Sequence, residues 1–282
     1  MTEVSPTSPE AFEIPCKDGL SLRGDIFPAE APVGSVIVCH GFKGFAHWAF
    51  FPYLGRKLAE CGLTAITFDF SGSGIGPDRE SFTLPEAFAT NTFSREQDDL
   101  DVLIDYLRRR KIIGKKFGLF GHSRGGGTAI IFTAAVDSDV SALVTWASIS
   151  YPNRWSPEDV KVWRQRGYAD ITNSRTGQIM KLRTDLLDDV ELHARTKLNM
   201  EAAAAKVRVP WLIIHGTADE TVPSSEAEKL HVLSPQTSTL SLIEGANHGF
   251  DAKHPLTEVS PALQRAVTET VDFFVRHAAT GV

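Results

Sequence analysis

The sequence predicts an α/β protein built on one doubly wound, mostly parallel sheet, with antiparallel strands at its N-terminal end and a segment inserted late in the chain. Three observations predict it. Short apolar runs without polar interruption mark strands buried on both faces, and they alternate with stretches whose apolar residues recur at helical spacing. Three of the runs end in loops that carry a serine, an acid and a histidine. Between Ser148 and Lys206 the alternation stops and the chain becomes charged and aromatic.

Residues 1–10 are polar, Pro-rich and acidic and read as a loosely held tail. Phe12 to Cys16 and Leu20 to Phe27 read as two strands turning at Lys17-Asp18-Gly19. Ser35 to Cys39 is the first fully buried strand and runs into His40-Gly41-Phe42-Lys43-Gly44. A helix from about Phe51 to Cys61 stops at Gly62. Thr64 to Phe70 is the next strand, opening into Ser71-Gly72-Ser73-Gly74-Ile75-Gly76-Pro77. This loop is no dinucleotide fingerprint, because Pro77 stands where the third glycine of G-x-G-x-x-G belongs and no helix pattern follows. Ser94 to Lys111 sets Leu100, Leu103, Ile104 and Leu107 on one helix face. Asp98, Asp99, Asp101 and Asp105 are expected mostly on the other, solvated face.

The central stretch is Lys116 to Ile130. A short strand, Phe117 to Phe120, leads into Gly121-His122-Ser123-Arg124-Gly125 and then into small and apolar residues that suit a helix. Strand, sharp turn and helix are the setting in which G-x-S-x-G forms a nucleophile elbow. Side chains at Gly121 and Gly125 would collide with the neighbouring backbone, and the helix N-terminus beyond Ser123 favours developing negative charge. The bland alternative is a glycine-rich turn with Ser123 as a helix cap.

Val140 to Ala147 is a further buried strand. Within residues 148–206, Ser156-Pro157-Glu158 starts a helix, Tyr168 to Lys181 suits a hairpin turning at Asn173 to Gly177, and Leu186 to Ala205 looks helical. The segment reads as a lid over the strand ends, between core segments 11–147 and 207–282. Val209 to His215 then ends in Gly216-Thr217-Ala218-Asp219, followed by a helix over Ser224 to Leu233. The last strand, Thr239 to Ile243, ends in Glu244-Gly245-Ala246-Asn247-His248, and Pro261 to His277 is a closing amphipathic helix.

In a parallel sheet these strand ends share one edge, so Ser123, Asp219 and His248 can converge. Serine needs a base, supplied by His248, and the base needs an acid to fix its tautomer, supplied by Asp219. The backbone N–H groups of Phe42 and Arg124 are placed to receive an oxyanion. His254 and Glu220 are the alternative base and acid. His40, His122 and His215 read as structural. His47, Trp48, Trp155 and Trp163 are candidates for the substrate pocket.

His40-Gly41-Phe42, Asp69-Phe70-Ser71-Gly72, Gly121 to Gly126, His215 to Asp219 with Val222-Pro223, and Gly245-Ala246-Asn247-His248 together resemble the α/β-hydrolase-fold serine esterases. The likeness is nearest the small-lid group of bacterial feruloyl and cinnamoyl esterases and the serine aminopeptidase-like hydrolases, over about residues 20–277. It implies an α/β-hydrolase fold, a serine carboxylesterase acting through an acyl-enzyme on small or aromatic acyl esters, and no cofactor. Two departures stand out: the segment 148–206 does not match a feruloyl esterase lid, and Arg124 stands where that group often has glutamine. With no cysteine, aspartate or metal cluster competing with Ser123, the pattern argues against dienelactone hydrolases and dehalogenases. A peptidase of the prolyl oligopeptidase type and a non-catalytic ligand-binding protein on the same fold are the competing readings.

Composition narrows the partners. A net charge of -6, without a basic cluster beyond Arg108 to Lys111, argues against nucleic acid. No apolar run approaches the ~20 residues that span a bilayer, and the first residues carry no signal pattern. Cys16, Cys39 and Cys61 are odd in number and widely spaced, which suits reduced thiols and a cytoplasmic protein. The expected partner is a small ester, with a homodimer left open, and no metal is called for.

Overall fold

The computed structural model describes residues 8–16, 18–135, 138–173 and 176–278. The chain begins with β1 (Glu10–Pro15), β2 (Ser21–Phe27), β3 (Gly34–Cys39), α1 (Phe50–Glu60), β4 (Leu63–Asp69), α2 (Pro85–Ala89) and α3 (Phe93–Arg109). The middle holds β5 (Phe117–His122), α4 (Arg124–Thr133), β6 (Val140–Trp146), α5 (Pro157–Arg166), β7 (Tyr168–Thr172), β8 (Ile179–Arg183), α6 (Asp185–His193) and α7 (Met200–Ala204). It closes with β9 (Trp211–Gly216), α8 (Ser225–Leu233), β10 (Ser238–Ile243) and α9 (Pro261–His277).

Among the described residues, eight strands form one sheet in the order β1-β2-β4-β3-β5-β6-β9-β10. β1 and β2 are antiparallel to their neighbours, and β4, β3, β5, β6, β9 and β10 are mutually parallel. The uninterrupted apolar runs are the central strands: every residue of β3, β4, β5 and β9 is buried. Helices cover both faces, as that burial requires. Phe50, Leu54 and Leu58 of α1 and Leu263, Val267 and Phe274 of α9 pack on one face. Leu100, Leu103 and Leu107 of α3, Ile130 of α4 and Leu230 of α8 pack on the other.

Local chemistry starts the helices where expected. The Ser156 hydroxyl accepts from the Asp159 amide with Pro157 in the first turn of α5, and Ser260 accepts from Leu263 ahead of Pro261 in α9. Three expectations shift. Glu10 pairs with Ile26 inside β1, and residues 1–7 of the expected tail lie outside the described residues. The helix expected over 186–205 is two helices, because Asn199 caps a new start by accepting from the Ala202 amide. Asp99 is buried rather than solvated, its carboxylate accepting from the Ser71 amide and hydroxyl at 2.8 and 2.9 Å. Asp98, Asp101 and Asp105 are exposed, as expected.

Between β6 and β9, helix α5, the β7–β8 hairpin and α6 build a third apolar cluster over the strand ends. Trp163, Leu182 and Leu186 there meet Phe45, Phe82 and Phe88 from the loops and α2 that follow β3 and β4. α7 bridges this cluster and the core: Met200 joins the third cluster, and Ala204 joins the α3, α4 and α8 face.

Candidate active site

Ser123 stands at the turn from β5 into α4 with φ 56° and ψ -121°, a backbone that a side-chain-bearing residue adopts only under constraint. The constraint is visible. Its amide donates to the Trp146 carbonyl of β6 at 2.9 Å. A Cβ on Gly121 would stand 2.3 Å from the Gly125 oxygen, and one on Gly125 would stand 2.3 Å from the His40 oxygen. The serine hydroxyl caps no helix amide, so the capping alternative falls. It lines a cavity of about 610 Å³ at the C-terminal edge of the sheet.

Asp219 lies in the loop after β9, its carboxylate inaccessible to solvent. Oδ1 accepts the amides of Thr221 and Val222 at 2.8 and 2.9 Å. Oδ2 accepts from His248 Nδ1 at 2.8 Å and lies 3.2 Å from His215 Nε2. Burial alone would raise the carboxyl's pKa; the His215 and His248 contacts more than offset it and hold the group far below the ordinary carboxylate range. The acid is therefore ionised at neutral pH, and the proton on His248 Nδ1 leaves Nε2 as the acceptor. His248 lines the same cavity as Ser123. No hydrogen bond joins Ser123 Oγ to His248 among the described residues.

The neighbouring histidines hold the frame. Burial lowers the pKa of His40 to about 4 and that of His122 to about 3, so both are neutral. His40 Nδ1 donates to the Gly41 carbonyl at 2.8 Å while Nε2 accepts the Phe70 amide at 3.2 Å, tying the loop after β3 to the loop after β4. His122 Nε2 donates to the His248 carbonyl at 2.9 Å. His215 also reaches the Val222 carbonyl at 2.8 Å. The sequence marks His215 as structural, and its contact with the acid is visible only in three dimensions.

Phe42 and Arg124 both line the cavity. Their amides take no hydrogen bond among the described residues. A Cβ on Gly41 would lie 2.9 Å from Ser123 Cβ, which shows how closely the loop after β3 passes the elbow. Trp48 and Trp155 are cavity walls. His47 and Trp163 are corrections. His47 turns away, with Nε2 2.7 Å from Asp25 and Nδ1 3.1 Å from Glu80, because two carboxylates outcompete an apolar cavity for an imidazole. Trp163 is only 2% exposed and stands behind Trp155, ring centres 5.0 Å apart and nearly perpendicular. His254 accepts the Ala49 amide through Nδ1 and faces Glu80 through Nε2, so it is no alternative base. Glu220 does not contact His248, whereas Asp219 does. Lys43, Phe45, Ile149 and Ile171 also line the cavity; the one signal available for Lys43 and Phe45 was their place just after a buried strand.

Among the described residues no group of three or more His, Cys, Asp or Glu side chains could hold a metal ion. No helix there is long and apolar enough to cross a membrane. All three cysteines are unpaired.

Fold and site define a protein of the α/β-hydrolase class. A family model described as alpha/beta hydrolase fold matches residues 34–169, and one for the dienelactone hydrolase family matches residues 184–278. The chain has the α/β-hydrolase fold, and both matches, over separate parts of the chain, support a hydrolase. The second match corrects the argument against dienelactone hydrolases for that third of the chain: it carries Asp219 and His248 but not the elbow, where Ser123 stands. The uncharacterized protein YfhR of Salmonella typhimurium is 28% identical over 253 residues, covering 86% of this chain and 76% of its own. The human serine hydrolase BPHL is 26% identical, covering 70% of this chain and 67% of its own. Est1E from Butyrivibrio proteoclasticus, solved with ferulic acid bound, superposes with a TM-score of 0.73 at 20% identity, over 96% of this chain and all of its own; that likeness shows the fold.

Proposed function

We propose that this chain is a serine hydrolase that cleaves carboxylic esters of small or aromatic acyl groups through an acyl-enzyme. The observation that carries the reading is the 2.8 Å contact between His248 Nδ1 and Asp219 Oδ2, made beside a cavity that the strained elbow residue Ser123 also lines. Ser123 Oγ attacks the ester carbonyl carbon and passes its proton to His248 Nε2. The amides of Phe42 and Arg124 receive the oxyanion. As the tetrahedral intermediate collapses, the leaving alcohol takes the proton back from His248. A water then repeats the steps on the acyl-enzyme, releasing the acid and restoring the serine. The Ser123–His248 hydrogen bond closes as substrate binds, as such contacts often do.

The cavity, at about 610 Å³, has the size of a small-molecule site, and its aromatic walls Phe42, Trp48 and Trp155 favour a flat acyl group. Residues 148–206 act as a lid, since α5, β7 and β8 build the roof over the strand ends. The ferulic acid in the Est1E structure supports the aromatic acyl choice.

Turnover of a p-nitrophenyl ester series, with a hydroxycinnamate ester and an aminoacyl anilide alongside, tests the reading. Esters should turn over far faster than the anilide, and Ser123→Ala should lower ester turnover by several orders of magnitude with the fold intact. A fluorophosphonate should label the peptide containing Ser123. Near wild-type esterase activity in Ser123→Ala would end the proposal.

A further inference from the structure

The proposed reaction uses only the amide of Arg124, yet its side chain is buried beside the elbow. Nε lies 2.8 Å from Glu96 Oε1, the two side chains being 6% and 5% exposed. Glu96 also accepts from Thr128 Oγ1 at 2.7 Å and from Asn91 Nδ2 at 3.4 Å. The guanidinium carbon sits 4.0 Å from the centre of the Phe93 ring and 5.5 Å from that of Phe42. The Phe42 ring in turn stacks on Phe88 at 5.5 Å. A buried ion pair adds little stability over a well-packed apolar pair of the same size, so its presence here calls for another reason.

The two proposed oxyanion donors are fixed by different means. The Arg124 amide belongs to the first turn of α4, which is locked against β3 by the close approach of Gly125 to the His40 carbonyl. The Phe42 amide belongs to the Gly41–Phe42 peptide, whose carbonyl accepts from the Gly44 N–H at 2.9 Å and from His40 Nδ1 at 2.8 Å. Those bonds hold the carbonyl side of the peptide, and the Phe42 ring, packed on Arg124 and Phe88, holds the residue on the other side.

We propose that the Arg124 side chain, oriented by Glu96, clamps the Phe42 ring and so positions the second oxyanion donor. Arg124 then serves twice, through its amide as donor and through its guanidinium as clamp, with Glu96 as the positioning residue behind it. The clamp rests on the serine hydrolase reading. It links α3 and α4 to the loop after β3 through one cation, and it acts on the transition state, because an oxyanion exists only there.

Three variants test it: Glu96→Gln, the uncharged double variant Glu96→Gln/Arg124→Gln, and Phe42→Leu, which keeps the ion pair and the amide but removes the ring. The readouts are kcat and KM on p-nitrophenyl butyrate, the melting temperature, and reversible inhibition by an alkyl trifluoromethyl ketone, whose adduct with Ser123 carries the same oxyanion. Expected is a parallel loss of about ten- to a hundredfold in kcat and in ketone affinity in all three, with KM changed by less than about twofold in the two Glu96 variants; Phe42→Leu also removes a cavity wall, so it is judged on kcat and ketone affinity alone. A purely structural pair would lower the melting temperature and leave those ratios alone. Phe42→Leu or a folded double variant with kcat and ketone affinity within about twofold of wild type overturns the clamp, whatever its melting temperature. Failure of the underlying reading is separate: wild-type protein without ester turnover, or turnover that survives Ser123→Ala.

Discussion

Asp219 Oδ2 is shared between two histidines, and only one of them faces the cavity. His248 is 24% exposed at its side chain and His215 is fully enclosed, so the acid orients one ring for chemistry while the other holds the acid. Asp219→Asn removes the charge and can present an N–H to His248, favouring the wrong tautomer. Under the proposed mechanism kcat should fall by up to about four orders of magnitude, measured on the best ester of the series. His254→Ala makes the contrasting case: its ring serves the Ala49 amide and Glu80, so kcat should stay near wild type while the melting temperature drops. If the pattern were reversed between the two sites, the base would be misassigned.

At the scale of elements, the insertion divides its two tryptophans between two jobs. Trp155 meets the cavity, and Trp163 carries Trp155 from behind within the apolar cluster of α5, β8 and α6. Trp155→Ala should widen the cavity and shift the preferred acyl chain length upward in the p-nitrophenyl series. Trp163→Ala removes a buried side chain and should cost about 3–5 kcal/mol of stability, read by denaturant unfolding at 25 °C, with a smaller change in chain-length preference. Unchanged preference in both variants would reduce the insertion to an appendage.

Across the whole molecule, buried titratable groups oppose one another. His40 and His122 have pKa values lowered by burial to about 4 and about 3, so on acidification below their ordinary values the unfolded chain takes up protons that the folded one refuses, and stability falls. Burial raises Asp69 to about 6 and Asp99 to about 7, so over the same range the folded chain takes up protons that the unfolded one refuses, and stability rises. Each group contributes up to about 1.4 kcal/mol per pH unit. Glu96, likewise raised by burial, adds a third carboxylate against the two histidines, so wild-type melting temperature should hold or rise slightly on acidification from pH ~6 to ~4.5. His122→Gln should steepen that rise across the window, and Asp99→Asn should remove or reverse it. A melting temperature that falls equally in all three would refute the balance. Asp219, lowered, enters only at more acid pH, where protonation would withdraw its contribution.

The sequence by itself determined the architecture and the candidate triad. Continuous apolar runs such as Ser35 to Cys39 suit central parallel strands, and Ser123, Asp219 and His248 are legible because each lies in the loop that follows a strand of the alternating pattern. Local signals also carried Ser156-Pro157 and Pro261 to the right helix starts. Tertiary structure alone decided what depends on neighbours distant in the chain. Asp99 looked solvated by its helix partners, yet Ser71, 28 residues away, draws it inward. His47 and Trp163 carried the right chemistry for a pocket, but the Asp25 and Glu80 carboxylates claim the one and the Trp155 ring covers the other. The Arg124–Glu96 pair is equally invisible in one dimension, since its parts lie on two helices that the sheet sets side by side on one face. Periodicity reports which face of an element is buried; it does not report which partner waits there, and specificity resides in the partners.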